Sequence, residues 1–104
     1  MMTEGSRYQV RLDAVHWVTL ESWDERRLDE VLVFLRDHAS RTPTQRIPRK
    51  LKQLRGRYRG FFQYSVDTDH KLIDRVDEDA KQVLVEYVVS HPDWRKSRGG
   101  RIRS

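Results

Sequence analysis

From Phe61 onward the spacing of apolar residues settles on two, and that period holds to Ser90 with two interruptions. The interruptions are Asp67-Thr68-Asp69 and Asp77-Glu78-Asp79, both built of turn-forming polar residues. Alternation with such breaks marks strands that double back on one another. The pattern predicts strands over 61–66, 70–76 and 82–90. In the last of them Val83, Val85, Tyr87 and Val89 fall on one side, Leu84 and Val88 on the other. Apolar residues on both sides predict a central strand, covered on two faces. Pro92 ends that strand, because it has no N–H to give to a ladder.

Upstream the period changes. Tyr8, Val10 and Leu12 face one way and Gln9 and Arg11 the other, which predicts a half-buried strand. Val15 to Leu20 is β-branched and aromatic and is read as a second strand, with the first turns of a helix as the alternative. Ser22 or Asp24 caps a helix reaching about Ala39, whose stripe is Leu28, Val31, Leu32 and Leu35. Thr42-Pro43 stops it. Pro48 then opens a short second helix to about Leu54, with Ile47, Leu51 and Leu54 as its stripe and Gly56 at its end. The expected fold is α+β: a small antiparallel sheet, made of a three-stranded meander plus an N-terminal strand, with two helices packed on one face. A chain of 104 residues supports one modest core. A single domain over 1–94 and a basic flexible tail over 95–104 are expected.

Charge is distributed unevenly. Ser40 to Gly60 holds eight lysines and arginines and no acid: Arg41, Arg46, Arg49, Lys50, Lys52, Arg55, Arg57 and Arg59. Arg95, Lys96, Arg98, Arg101 and Arg103 form a second basic run. Cations flanking a small sheet suit a polyanion, and nucleic acid is the expected one, because phosphate charge supplies most of the affinity in such complexes. The plainer alternative is a solvated helix face followed by a loose tail. The net charge of +5 conceals acids gathered at Asp24, Glu25, Asp29 and Glu30 and again from Asp67 to Asp79. The chain has no cysteine, hence no disulfide and no thiolate metal site, which fits a reducing cytoplasm. No apolar run approaches the roughly 18 residues of a membrane span, and a soluble cytoplasmic protein is expected. Glycine-rich phosphate loops and paired metal ligands are absent, so neither cofactor nor metal is expected.

Several segments together resemble a known family. Leu54-Arg55-Gly56, then Gly60-Phe61-Phe62, then the strand from His70-Lys71-Leu72-Ile73 to Asp77 resemble the meander of the RelE/ParE superfamily of bacterial toxins. Val88-Val89-Ser90-His91-Pro92-Asp93-Trp94 is similar to the strand ending of its HigB-like members, and Arg41-Thr42-Pro43 to the helix ending of its YoeB-like branch. The resemblance implies a microbial-RNase-like fold. It implies a toxin that cleaves mRNA on the ribosome, without metal, through attack of the 2′-hydroxyl, and that an acidic antitoxin protein neutralises. The ParE-like branch implies the alternative, a gyrase inhibitor or a ribosome- or RNA-binding module that cuts nothing.

Such cleavage needs a group to take the hydroxyl proton, one to protonate the leaving 5′-oxygen, and cations for the phosphorane. His91 is the candidate for proton transfer, since imidazole titrates near neutrality; His70 occupies the family's aromatic or histidine position. By resemblance Lys71 stands where the family has an arginine on the scissile phosphate, and Arg75, four residues on, falls on the same face. Lys52 falls near the glutamate base of the YoeB-like branch. Lys50, Arg49, Arg55, Arg57 and Arg59 are candidate RNA contacts, with Tyr64 and Trp94 as stacking rings. Ser65 and Asp74 depart from the arginine and tyrosine usual at those positions.

Overall fold

Five strands form one sheet in the computed structural model, which describes residues 7–91. In chain order they are β1 (Gln9–Arg11), β2 (Leu51–Gln53), β3 (Phe61–Ser65), β4 (His70–Asp77) and β5 (Gln82–Ser90). In space the order is β1-β5-β4-β3-β2. β3, β4 and β5 make the expected antiparallel meander. Its turns are closed by their own aspartates. Asp67 Oδ1 accepts from the N–H groups of Asp69 and His70, at 3.0 and 2.9 Å, and Asp77 Oδ1 accepts from the Ala80 N–H at 3.0 Å. β1 lies parallel to β5 with Gln9 opposite Gln82, and β2 runs antiparallel to β3 with Leu51 opposite Tyr64.

Helices α1 (Ala14–Glu21) and α2 (Glu25–Val33) cover one face of the sheet. Asp24 caps α2, its carboxylate accepting from the Arg27 N–H at 3.3 Å. The helix then widens into a π-helical turn, Phe34–Ala39. Val31, Phe34 and Leu35 from this element meet Leu20, Leu51, Leu72, Val83 and Val85 in the main core. Leu28 is partly buried there, whereas Leu32 from the expected stripe stays at the surface.

Two expected elements differ. The segment read as a strand over Val15 to Leu20 is α1. Val15 and Val18 are 63% and 67% exposed, so their β-branched pattern buries little, and Leu20 alone of the helix is fully buried. A helix satisfies its own backbone without a neighbouring strand, and packing overrides the local preference. The second helix, expected from Pro48 to Leu54, is replaced by a tight turn and β2. The N–H groups of Lys50 and Leu51 both donate to the Ile47 carbonyl, at 2.9 and 2.8 Å. Arg49 has φ 70°, a left-handed conformation that breaks any helix. The chain then extends, and bonds from Ser65 N–H to the Lys50 carbonyl and from Leu54 N–H to the Phe61 carbonyl, at 2.7 and 2.9 Å, join it to β3. Leu51 and Leu54, read as one helical stripe, point to opposite faces: Leu51 joins the main core and Leu54 packs on Ile73 across the sheet.

β5 also departs from simple alternation. Its register against β4 slips at Ile73/Asp74, where Ile73 faces Tyr87 and Asp74 faces Val85, leaving Glu86 as an extra residue. Val83 and Val85 therefore face the helices, as does Val88, while Tyr87 and Val89 turn to the other face and pack with Phe61 and Tyr58 around Ile73. The strand is central, between β1 and β4, but among the described residues helices cover only one of its faces, Tyr87 and Val89 on the other stay half-buried, and Val83, Val85, Tyr87 and Val89 do not share one side. Among the described residues no helix is long and apolar enough to cross a membrane.

One residue sits uneasily in the core. Asp74 is 2% exposed, flanked in register by Phe62 and Val85, and its Oδ1 has no hydrogen-bond partner among the described residues. Burial pushes its carboxyl up to about 8. The unfolded chain releases this proton near the ordinary aspartate value of about 4. Between the two values the native state holds the extra proton, so stability falls as pH rises through that window and levels off above it. We predict that Asp74→Asn flattens this slope. Its stability relative to the parent should rise from pH 4.5 to pH 8, by up to about 1.4 kcal/mol per pH unit. A urea-unfolding series across that range reads it directly, and a constant offset between the two proteins would refute the buried neutral carboxyl.

Candidate functional site

The face of the sheet away from the helices carries the polar candidates. Strand pairing sets Lys52, Gln63, Ile73 and Tyr87 in one row across β2, β3, β4 and β5, and Ser65, Lys71 and Val89 in the next. Alternation puts each row on one side, and the cluster of Ile73 with Tyr87 and Val89 identifies the side as the outer one. Gln63 Nε2 donates to Ser65 Oγ at 3.3 Å. His91 follows Ser90 at the end of β5 and is exposed. With Val89 outward and Ser90 inward, His91 continues the outer side, one strand from Lys71. Strand spacing and rise separate the Lys71 and His91 backbones by about 8 Å.

Other candidates are placed differently. Lys71 is nearly buried and its Nζ donates to the Thr68 carbonyl in the β3–β4 turn. Arg75 shares the face of Lys71, but four residues of strand put it about 13 Å along. Its guanidinium is held by Glu86, Nε and Nη2 lying 3.1 and 3.0 Å from Oε2. It cannot replace an arginine beside Lys71. Lys52 is exposed on β2. Three strand spacings and four residues of rise separate it from His91, about 19 Å between backbones. A single phosphate cannot touch both, whereas a strand of nucleic acid crossing the face diagonally would meet them in succession.

Lys50, His70 and Tyr64 belong to the helix side. Tyr64 is buried, stacked on Phe34 with centroids 4.0 Å apart, and its hydroxyl donates to Glu30 Oε2 at 2.7 Å. It has no face free for a base; burial, then the Glu30 carboxylate, pushes the hydroxyl far up. Lys50 Nζ lies 2.7 Å from the same carboxylate and donates to the Val66 carbonyl at 2.8 Å. Burial alone would raise the Glu30 carboxyl, but the bonds from Lys50 and Tyr64 outweigh it and hold it below the usual range. His70 alternates with Lys71 and so points inward, its Nδ1 2.9 Å from Asp67 Oδ1 and its ring edge-on to Trp23.

The acid-free segment keeps its charge near the β2 edge. Arg46, Arg49, Lys52 and Arg55 are exposed, and no acid among the described residues lies within ion-pair distance of them. Arg46, Arg49 and Lys52 line a cavity of about 230 Å³ whose wall includes Gln63 and Ser65. Arg46, Lys52 and Arg55 also line a larger one of about 500 Å³ with Thr44 and Gln53. Arg57 and Arg59 are exposed in the β2–β3 loop, at the end of the sheet opposite His91. Trp94 and the basic run from Arg95 lie outside the described residues. Sequence reasoning did not pick out Gln63, and it named Arg46 only as one of the eight cations of the acid-free run. Alternation from Lys71 through the strand register would have found Gln63; the fold of the 42–50 loop is what sets Arg46 beside Lys52. Among the described residues no group of three or more His, Cys, Asp or Glu is placed to hold a metal ion.

Solved structures share this arrangement of strands and helices. The toxin–antitoxin complex RelBE2 from Mycobacterium tuberculosis contains a chain 26% identical to this one, matched over 82% of this chain and 99% of that one with a TM-score of 0.64. A YoeB/ParE toxin from Agrobacterium tumefaciens is 20% identical over 80% and 98% of the two chains, with a TM-score of 0.65. The archaeal RelE–RelB complex from Pyrococcus horikoshii matches at 18% identity over 84% and 97%, also at 0.65. No family model and no curated protein matches the chain.

The Lys50 contacts predict a structural role for that residue. Lys50→Met, which keeps the stem and removes the cation, should lower stability at pH 7 by about 1 kcal/mol, the scale of a partly exposed ion pair. The Glu30 carboxyl is held low in the folded state. Its contribution is therefore present above the ordinary glutamate value and lost as pH falls through the folded one, so the difference should shrink at pH 3. Unchanged stability at pH 7 with weakened nucleic-acid binding would instead return Lys50 to the interface.

Proposed function

Because the chain has the fold of the RelE/ParE superfamily of toxins, we propose that it is the toxin of a toxin–antitoxin pair and that it cuts mRNA on the ribosome. The observation that carries the reading is the closeness of Lys71 and His91 at one end of the sheet, with acid-free cations farther along at the β2 edge. Only RNA brings the 2′-hydroxyl that attacks its own phosphate. In this reading His91 moves the proton, as base toward the 2′-hydroxyl or as acid toward the 5′-oxygen. The Lys71 ammonium has three N–H donors, and the Thr68 carbonyl takes one. In this reading the other two would turn to the charge that builds on the phosphorane once substrate reaches the half-sealed side chain. Lys52 and Arg49 hold phosphates farther along the strand, and the field of the β2 edge draws it in. No step calls for a metal ion.

An acidic antitoxin is the expected partner. Val15, Val18, Leu32 and Val33 are exposed on the helical layer, where an amphipathic segment would cover them.

A second reading, a non-catalytic gyrase inhibitor or RNA-binding module, is favoured by how few face cations are free. Lys71 is engaged with Thr68, Arg75 is paired with Glu86, and Ser65 carries no charge. Expression in cells separates the two. Mapped cuts in mRNA support the nuclease, and DNA damage with intact mRNA supports the gyrase inhibitor. For the nuclease, His91→Ala should reduce cleavage by about 10²- to 10⁴-fold, the worth of a general acid or base. Lys71→Ala should also reduce it, with the unfolding midpoints of both variants near the parent's. Full cleavage by both variants would remove this site.

A further inference from the structure

The end of β5 is secured from the helical layer by a chain of side-chain contacts that proton transfer itself does not require. Ser90 is the last residue of β5, and its ladder partner is His70, the first of β4. Strand ends fray, and His91 lies one residue beyond this last pair. The Ser90 side chain turns inward, where its Oγ accepts the Trp23 indole N–H at 3.0 Å. Trp23 sits between α1 and α2 and is 7% exposed. A buried indole N–H has no acceptor role to fall back on and must find an oxygen.

The indole is itself braced. The His70 ring meets it edge-on at a centroid distance of 4.8 Å and an interplanar angle of 85°. His70 Nδ1 is 2.9 Å from Asp67 Oδ1, and Arg27 Nε donates to Asp67 Oδ2 at 2.6 Å. Partial burial would raise the Asp67 carboxyl, but the bonds from His70 and Arg27 hold it well below the usual range, so it stays an acceptor for both. Five segments of chain thus converge behind one residue: the helix junction, α2, the β3–β4 turn, the start of β4 and the end of β5.

We propose that Trp23 is a positioning residue that acts through its hydrogen bond to Ser90 to hold the adjoining His91 in line with the phosphate, with His70, Asp67 and Arg27 locking the indole. This rests on the reading of His91 as the proton-transfer group. His70, placed by resemblance among the catalytic candidates, acts here from the opposite face and touches no substrate. A displacement of about 1 Å at such a group costs up to about 100-fold in rate, so a side chain remote from the chemistry carries a measurable share of it.

The test uses the full chain and ribosome-bound mRNA. Trp23→Phe keeps a ring against His70 and removes the donor. Ser90→Ala removes the acceptor, and Ser90→Thr restores a hydroxyl. Trp23→Phe and Ser90→Ala should each lower kcat by about ten- to a hundred-fold with KM unchanged. The double variant should be no slower than the worse single one, because both act through one bond. Ser90→Thr should recover most of the rate. The His91 ring resonances should shift in Trp23→Phe and Ser90→Ala, a readout that needs no cleavage. Unmoved resonances, an unchanged kcat in a folded Ser90→Ala, or multiplying losses in the double variant would each overturn the positioning role. Full cleavage by His91→Ala would overturn the underlying functional reading instead, whatever the ring resonances show.

Discussion

A single extra residue in β5 decides what the outer face of the sheet can do. With Glu86 bulged between Val85 and Tyr87, the strand delivers Val83 and Val85 to the helices in its first half. In its second half it delivers Val88 and Ser90 to the helices and Tyr87 and Val89 to the other side, the side on which continued alternation sets His91. Strict alternation would turn His91 inward with Val83 and separate it from Lys71 by the thickness of the sheet. Bulges re-aim side chains in this way beside many functional sites. Glu86 is also not idle: its carboxylate holds Arg75 across the strand pair, tying the irregular residue to its regular neighbour. The same interaction that takes Arg75 out of the candidate site thus helps to keep His91 in it.

Cations in this molecule fall into two populations with different energetics. Arg27, Lys50 and Arg75 are partly exposed but paired with acids, the kind of pair worth about 1 kcal/mol or less. Arg46, Arg49, Lys52 and Arg55 remain in water without acids nearby, so their desolvation cost falls due only when a ligand arrives. In the first group Arg27 ties α2 to the β3–β4 turn, Lys50 ties the 42–50 loop to α2, and Arg75 joins β4 to β5. The second leaves a positive field at the β2 edge that attracts an anionic strand at long range and weakens with salt.

The meander was readable because two signals agreed: alternation of period two and aspartate turns at its breaks. β1 was readable from alternation alone, and the start of α2 from Asp24. α1 was misread because Val15, Trp17 and Val18 have strand chemistry but are exposed, so nothing in the core rewards their pattern. β2 was misread because a spacing of three between Leu51 and Leu54 fits a helix stripe and also fits an extended strand feeding two separate clusters. The left-handed Arg49 that selects the second outcome has no glycine to announce it. Within the candidate site, His70 and Lys71 are consecutive in one strand, so alternation already set them on opposite faces. Tyr64 shares parity with Leu72 across β3 and β4 and was equally assignable to the core. The bulge had no such signal: Glu86 is a single acid within an apolar run, a pattern that a solvent-facing position would also give.

The parallel pairing of β1 with β5 ties an early segment of the chain to a late one. Gln9 has no ladder partner until Gln82 exists, and closing so long a loop is entropically costly before the meander has formed. During synthesis, therefore, α1 and α2 emerge with their apolar faces uncovered and wait for most of the sheet to leave the exit tunnel. The face that carries His91 can assemble only once β5 itself has left the tunnel.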